Sequence, residues 1–258
     1  MMQFLKYQVQ DNLAYITLNR PEKRNAFSFQ LVKELKEAFT QAAQDTTVKV
    51  VILNAEGAVF CAGADLDYLQ QLQQASYEQN LEDSQYLKEL YAQMYHFPKV
   101  IIAAVQGHAL AGGCGLITVC DFVFTVPEAK FGYTEVKIGF VPAIVMTFLL
   151  RKIGETKAKK LLISGNLVTA HEALTMGLLH EVVEPSLLAS TVEAFARSLC
   201  ETNSAEAMSM TKKLLAQVQD IPLEAALDLA AIANATARGT ADCKRGIAAF
   251  LNKEKIVW

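Results

Sequence analysis

The passage from Val100 to Asp121 constrains the fold of this chain most. Val100-Ile101-Ile102-Ala103-Ala104-Val105 is an apolar run of strand length and reads as a buried strand. It leads into Gln106-Gly107-His108-Ala109-Leu110-Ala111-Gly112-Gly113-Cys114-Gly115-Leu116-Ile117-Thr118-Val119-Cys120-Asp121, where small residues give way to an apolar helical segment. Strand, glycine turn and helix start together present unpaired backbone N–H groups to a ligand. Paired glycines let a reacting group approach the main chain closely. Such a site suits a small anion or a carbonyl oxygen that gains negative charge during reaction. Close helix–sheet packing is the other use of the same glycines.

Around this passage the pattern alternates strands and helices, which argues for an α/β fold. Residues 4–10 and 13–19 read as two strands joined by an Asp11-Asn12 turn. Ser28 opens a helix with Leu31, Val32, Leu35, Ala38, Phe39 and Ala42 on one face. Residues 48–53 read as a strand, and Asn54-Ala55-Glu56-Gly57 as a turn. Residues 66–96 are polar and helical, with Ser76 as a break, and 122–126 is another strand. From Pro142 the chain is largely helical, in segments 143–153, 155–164, 170–176, 186–200, 206–219, 223–238 and 242–253. The alanine-rich tail suits packing on the chain's own core or on a neighbouring subunit.

Bulk properties exclude several classes. At 258 residues and 52% hydrophobic, the chain buries a large core. A net charge of −3 with no basic block argues against nucleic-acid binding. Cys61, Cys114, Cys120, Cys200 and Cys243 are an odd set without Cys-x-x-Cys spacing, as in a reduced, cytosolic-type (cytoplasmic) protein. His96, His108, His171 and His180 lack metal-ligand spacing. No apolar run spans a bilayer and the start reads as no signal peptide, so no membrane partner is expected.

Four motifs stand in order: Leu18-Asn19-Arg20-Pro21-Glu22-Lys23-Arg24-Asn25-Ala26, Phe60-Cys61-Ala62-Gly63-Ala64-Asp65-Leu66, the 107–121 stretch, and Lys130-Phe131-Gly132-Tyr133-Thr134-Glu135-Val136-Lys137-Ile138-Gly139. Together they resemble the enoyl-CoA hydratase/isomerase (crotonase) superfamily over nearly the whole chain. The resemblance implies a spiral of βαβ turns with a C-terminal helical trimerisation region. It divides the chain into a core at 1–195 and a helical region at 196–258, both parts of one family domain. It also implies trimers or dimers of trimers, and a coenzyme A thioester as substrate rather than cofactor.

Carried over residue by residue, the amides of Ala64 and Gly112 hold the thioester oxygen and Glu135 handles protons. Arg24 and Lys23 match a nucleotide-contacting strip. Ala26, Ala62, Gly63, Asp65, Leu66, Gly113, Gly115 and Pro142 complete the substrate site, with Phe250 and Lys253 reaching it from an adjacent subunit. Asp65 also reads as a helix N-cap.

One departure matters. Hydratases of this family use two glutamates, and the first falls at Gly115. A single carboxylate still permits syn hydration by one water, with another group holding that water. Tyr68, Tyr77, Asp83, Tyr86 and His108 are candidates for that group. Alternatively, one carboxylate moves a proton between the α- and γ-carbons, which is isomerisation. Apolar neighbours of Glu135 (Phe131, Val136, Ile138, Phe140) are expected to raise its pKa. A narrower resemblance, to bacterial methylglutaconyl-CoA hydratases of leucine breakdown, favours hydration of a branched or carboxylated 2-enoyl-CoA and offers Lys137 as its cationic partner. Leu69, Leu72, Val141 and Ile144 are candidate acyl-pocket residues.

Overall fold

Hydrophobic strands too apolar to face water on either side force this chain into layers, and a computed structural model shows them. It describes residues 2–258. The chain begins with β1 (Leu5–Gln10) and β2 (Leu13–Leu18), an antiparallel hairpin with Asp11 and Asn12 both at positive φ in its turn. Asn and Asp tolerate that conformation better than most residues. Helix α1 (Phe29–Gln44) follows, capped by the Ser28 hydroxyl accepting from the Leu31 N–H. Its buried residues are the expected Leu31, Val32, Leu35, Ala38, Phe39 and Ala42, together with Glu34.

Three turns of a spiral come next. Each contributes one strand to a first sheet, a three-residue strand to a second, and then helix. The first is β3 (Val50–Ala55), β4 (Val59–Cys61), α2 (Leu66–Gln73) and α3 (Tyr77–Tyr95). The second is β5 (Val100–Val105), β6 (His108–Leu110) and α4 (Gly112–Val119). The third is β7 (Phe122–Thr125), β8 (Lys130–Gly132), α5 (Ala143–Ile153) and α6 (Glu155–Ser164). Then come β9 (Val168–Thr169), α7 (Ala170–Met176) and β10 (Glu181–Val182), followed by helices α8 (Leu188–Thr202), α9 (Ala205–Val218), α10 (Leu223–Gly239) and α11 (Ala241–Asn252).

The larger sheet runs β1-β2-β3-β5-β7-β10, parallel from β2 onward. Strand β5 is buried at every residue, as its unbroken apolar run requires. The smaller sheet runs β4-β6-β8-β9, with β4, β6 and β8 mutually parallel. This α/β spiral with its helical C-terminal region is the expected architecture.

One expectation is corrected. Asn54 and Ala55 belong to β3, so the turn starts at Glu56. The second sheet was not anticipated, because strands of two or three residues are too short to show a period. The break at Ser76 is a full capping box with Gln79. Helix α8 passes unbroken through residues 195 and 196.

Candidate active site

Parallel strands that lie side by side release their chains at the same edge. In the small sheet the carboxyl ends of β4, β6 and β8 lead respectively to Ala64, to Gly112 and to Glu135. The three residues expected to carry the chemistry therefore leave one edge of one sheet, the usual place for a site in an α/β protein.

The Ala64 loop is fixed by a parallel bridge to Phe27. Phe27 N–H donates to the Gly63 carbonyl at 2.7 Å, and Asp65 N–H donates to the Phe27 carbonyl at 2.8 Å. The bridge leaves the Ala64 N–H pointing to the opposite side, with no acceptor among the described residues. Asp65 is buried and caps α2 by accepting from the Asp67 N–H at 2.8 Å. It also pairs with Arg20 at 2.6 Å. Burial pushes the Asp65 carboxyl up, but the Asp67 amide and the Arg20 guanidinium outweigh it and hold it below the usual carboxylate range. The cap is thus an anchored ionised carboxylate.

Gly112 is the first residue of α4, so its N–H has no partner within the helix. Before it, Ala111 has φ 50° and ψ −126°, a conformation L-residues avoid at a cost of about 1–3 kcal/mol. Its N–H is tied to the Gly132 carbonyl at 2.8 Å, which links the β6 exit to the β8 exit. The two amide loops are jammed together. A Cβ on Gly63 would lie 2.8 Å from Ala111 Cβ, and one on Gly113 would lie 2.5 Å from the Cys61 carbonyl oxygen. Only glycine permits this approach. Gly63 also has φ +92°.

Glu135 opens a short 3-10 turn at Glu135–Ile138. Its Oε2 is buried with no hydrogen-bond partner among the described residues. Burial raises its pKa, against a smaller opposing hydrogen bond from its own backbone N–H. Its charge is felt at Tyr91 and Cys114, both fully buried. This corrects the expected cause. Val136, Ile138 and Phe140 are exposed and do not enclose the carboxyl; of the four expected neighbours only Phe131 is buried. The Cys61 and Cys114 thiols are pushed up to about 12 by burial, so neither is a ready nucleophile.

The other expected residues divide. Ala26 and Pro142 are buried, Ala62 is half-buried, and Leu66 and Arg24 are exposed. The Arg24 carbonyl accepts from the Ala62 N–H at 3.1 Å, tying the basic strip to the Ala64 loop. Lys23 pairs with Asp67 at 2.8 Å on the surface. Phe250 (83% exposed) and Lys253 end α11, a helix that packs on α9 and α10, and within one chain the structure does not bring them to the three exits.

All the candidate water-holders but Tyr77 are engaged elsewhere. Tyr68 bonds Asp83, Tyr86 stacks on Phe29 beneath Lys36, the Tyr77 side chain is exposed, and His108 Nδ1 accepts from the Lys130 N–H at 3.2 Å. The stem of Lys137 lies against Gly165. Leu69, Leu72 and Ile144 are half-buried, and Val141 is exposed.

Sequence reasoning missed Tyr91. It is the fully buried tyrosine of α3, and its hydroxyl donates to the Gly112 carbonyl at 2.7 Å. Its helical spacing four residues after Leu87 was the available signal. Among the described residues no three His, Cys, Asp or Glu side chains are grouped to hold a metal ion. A cavity of about 900 Å³ lies between α4 and α5 on one side and α9 and α11 on the other; its lining includes none of Ala64, Gly112 and Glu135.

Comparison with known proteins adds the family. A Thermus thermophilus protein with the provisional name of enoyl-CoA hydratase is 40% identical over 242 residues, 94% of this chain and 95% of that one. The 2,3-dehydroadipyl-CoA hydratase of Escherichia coli is 33% identical over 245 residues, 95% of this chain and 94% of that one. The crystal structure of an enoyl-CoA hydratase from Shewanella pealeana superposes with a TM-score of 0.95 at 28% identity, covering 100% of this chain and 96% of that one. The family model described as enoyl-CoA hydratase/isomerase matches residues 8–258, and this chain is accordingly an enzyme of the enoyl-CoA hydratase/isomerase (crotonase) family.

Proposed function

We propose that the chain hydrates a 2-enoyl-CoA thioester with one carboxylate. The observation that carries this reading is the shared edge of β4, β6 and β8, from which two free amides and one buried, partnerless carboxyl emerge. The Ala64 and Gly112 N–H groups hold the thioester oxygen. Ionised Glu135 takes a proton from a water as its oxygen bonds to the β-carbon, and charge collects on the thioester oxygen as an enolate. Glu135 then returns that proton to the α-carbon. One water supplies both added groups, so atoms and charge balance with no cofactor. Losing one such amide typically costs about 3 kcal/mol of barrier.

Arg24, Ala62 and Leu66 line the path of the CoA thioester in this reading, and the buried Ala26, Gly63, Asp65, Gly113, Gly115 and Pro142 shape it from beneath. Phe250 and Lys253 join it from a neighbouring subunit, in a trimer or dimer of trimers built on the helical region at 196–258. The acyl group is branched or carboxylated, as in methylglutaconyl-CoA of leucine breakdown. That finer choice rests on sequence resemblance and on Lys137 as its cation.

The second reading is isomerisation. What favours it is the absence of a carboxylate at Gly115: one carboxylate is enough to move a proton from the α- to the γ-carbon. Assays with 3-methylglutaconyl-CoA, crotonyl-CoA and a 3-enoyl-CoA separate the readings. Hydration predicts a 3-hydroxyacyl product and isomerisation predicts a 2-enoyl product with no added water. In Glu135→Gln, turnover is expected to fall at least ~10²-fold. Full activity in that variant removes Glu135 from the mechanism, and no turnover of any of the three by the wild type leaves an acyl-CoA binder.

A further inference from the structure

The space beside Gly115 is filled. A Cβ built there would lie 2.4 Å from Val145 Cγ1, 2.9 Å from Tyr91 Oη and 3.1 Å from Tyr91 Cε1. Both neighbours are buried, so neither can swing out of the way. Tyr91 Oη is the atom that donates to the Gly112 carbonyl at 2.7 Å, and it would lie 3.2 Å from a Cβ on Gly112. One hydroxyl on α3 therefore touches both Gly112 and Gly115, within the first turn of α4.

We propose that Tyr91 is a positioning residue. Its hydroxyl holds the Gly112–Gly113 peptide through the Gly112 carbonyl and so limits the torsional freedom of Gly112, whose N–H belongs to the adjoining peptide, while its ring and Val145 close position 115 to a second carboxylate. This rests on reading Gly112 as an oxyanion donor.

The need for such a brace is local. Gly112 has no side chain to pack, and the residue before it, Ala111, is held at φ 50°, a conformation that favours relaxation. The Phe27 ring confines Gly112 on one side, 2.9 Å from where a Cβ would be, and the Tyr91 hydroxyl confines it on another. Tyr91 is 0% exposed, so it does not touch substrate. Burial also raises its pKa well above that of an ordinary phenol, with smaller contributions from Cys61, Glu135 and Cys114, so it stays protonated and keeps donating. A group that is buried, neutral and bonded to the oxyanion loop acts through that loop. The same packing explains how this site differs from a two-glutamate hydratase: position 115 lacks the volume for a carboxylate as well as the side chain.

Acetoacetyl-CoA tests the brace, because oxyanion donors enrich its bound enolate, which absorbs in the near ultraviolet. Wild-type protein is expected to enrich the enolate over free ligand at the same pH. Tyr91→Phe keeps the ring and removes only the hydroxyl. It is expected to lower both the enolate signal and kcat about 5- to 10-fold, with KM changed less than about 2-fold, the scale of one hydrogen bond. Wild-type signal and kcat in Tyr91→Phe overturn the proposal. No enolate enrichment in the wild-type protein sinks the oxyanion-hole reading and the proposal with it. Gly115→Ala in a Val145→Ala background presses a methyl on the same hydroxyl and gives an independent test if the Phe variant does not fold. Its loss of enolate signal is expected on its own, and where the Phe variant folds the two losses are expected to be non-additive. No loss, or additive losses, overturns the proposal.

Discussion

Glu135 is the residue whose surroundings decide most. Its Oε2 is buried without a partner, and burial raises its pKa above the ordinary 4.5. As a base it works only when ionised, so kcat/KM is expected to rise with pH through a pKa raised above the ordinary glutamate value by burial. An acid limb at the ordinary value would show that burial is not felt in the working enzyme. The stability sign follows from the same shift. Between the unfolded and folded pKa values the folded state binds more protons, so stability falls as pH rises through that window. Above that window the ionised Glu135 is therefore a net cost, and there Glu135→Gln is expected to melt higher than wild type. The gain should vanish below about pH 4, where both states carry the proton. Thermal denaturation across pH checks this, and an equal gain at all pH values would contradict it. At this scale the sequence singled out the carboxyl that the structure buries without a partner. The origin of its pKa shift was hidden, because the buried neighbours Tyr91 and Cys114 are distant in sequence while the adjacent Val136, Ile138 and Phe140 face outward.

Among elements, the long ones were legible and the short ones were not. Helix α1 announced itself through Ser28 and a clean apolar stripe, and β5 through an unbroken apolar run. Strands β4, β6 and β8 have three residues each, too few for alternation to register, and their pairing partners lie more than twenty residues apart. Yet these strands set the site, because being parallel neighbours they deliver three loops to one edge. Gly113 is where two of those loops touch. Gly113→Ala would place its Cβ 2.5 Å from the Cys61 carbonyl oxygen and 2.6 Å from Cys61 Cβ, both on a fixed strand end. Such overpacking is expected to destabilise by about 1–3 kcal/mol and to part the two amide loops. Turnover should fall by roughly tenfold or more, the order of one misplaced donor. Wild-type turnover with wild-type melting would show that the contact is slack.

At the level of the whole molecule, the C-terminal helices expose apolar surface that a single chain leaves uncovered. Leu223, Leu227 and Ile232 on α10, with Ile247, Phe250 and Leu251 on α11, are all exposed. Exposed apolar side chains on neighbouring helices suit burial against a second copy of the chain. Sedimentation is therefore expected to show a trimer or hexamer, and Phe250→Asp with Leu251→Asp to shift it toward smaller species. A wild-type monomer at micromolar concentration would remove the adjacent-subunit role of Phe250 and Lys253. Lys36, which with Lys33 makes up the sparse basic face of α1, is already paired with Glu89 at 2.7 Å and seated over Tyr86. Among the described residues no helix is long and apolar enough to cross a membrane.

Local reading sufficed for the order of the longer strands and helices, the caps at Ser28 and Asp65, the break at Ser76, and the glycines at 63, 112 and 113, because propensity, capping and steric demand act within a few residues. It took the folded chain to set the exits of β4, β6 and β8 on one edge, to hold Ala111 at positive φ between them, and to fill the place of a side chain at 115 with Tyr91 and Val145. These are outcomes of packing between segments far apart in the chain, and no window of sequence contains both partners.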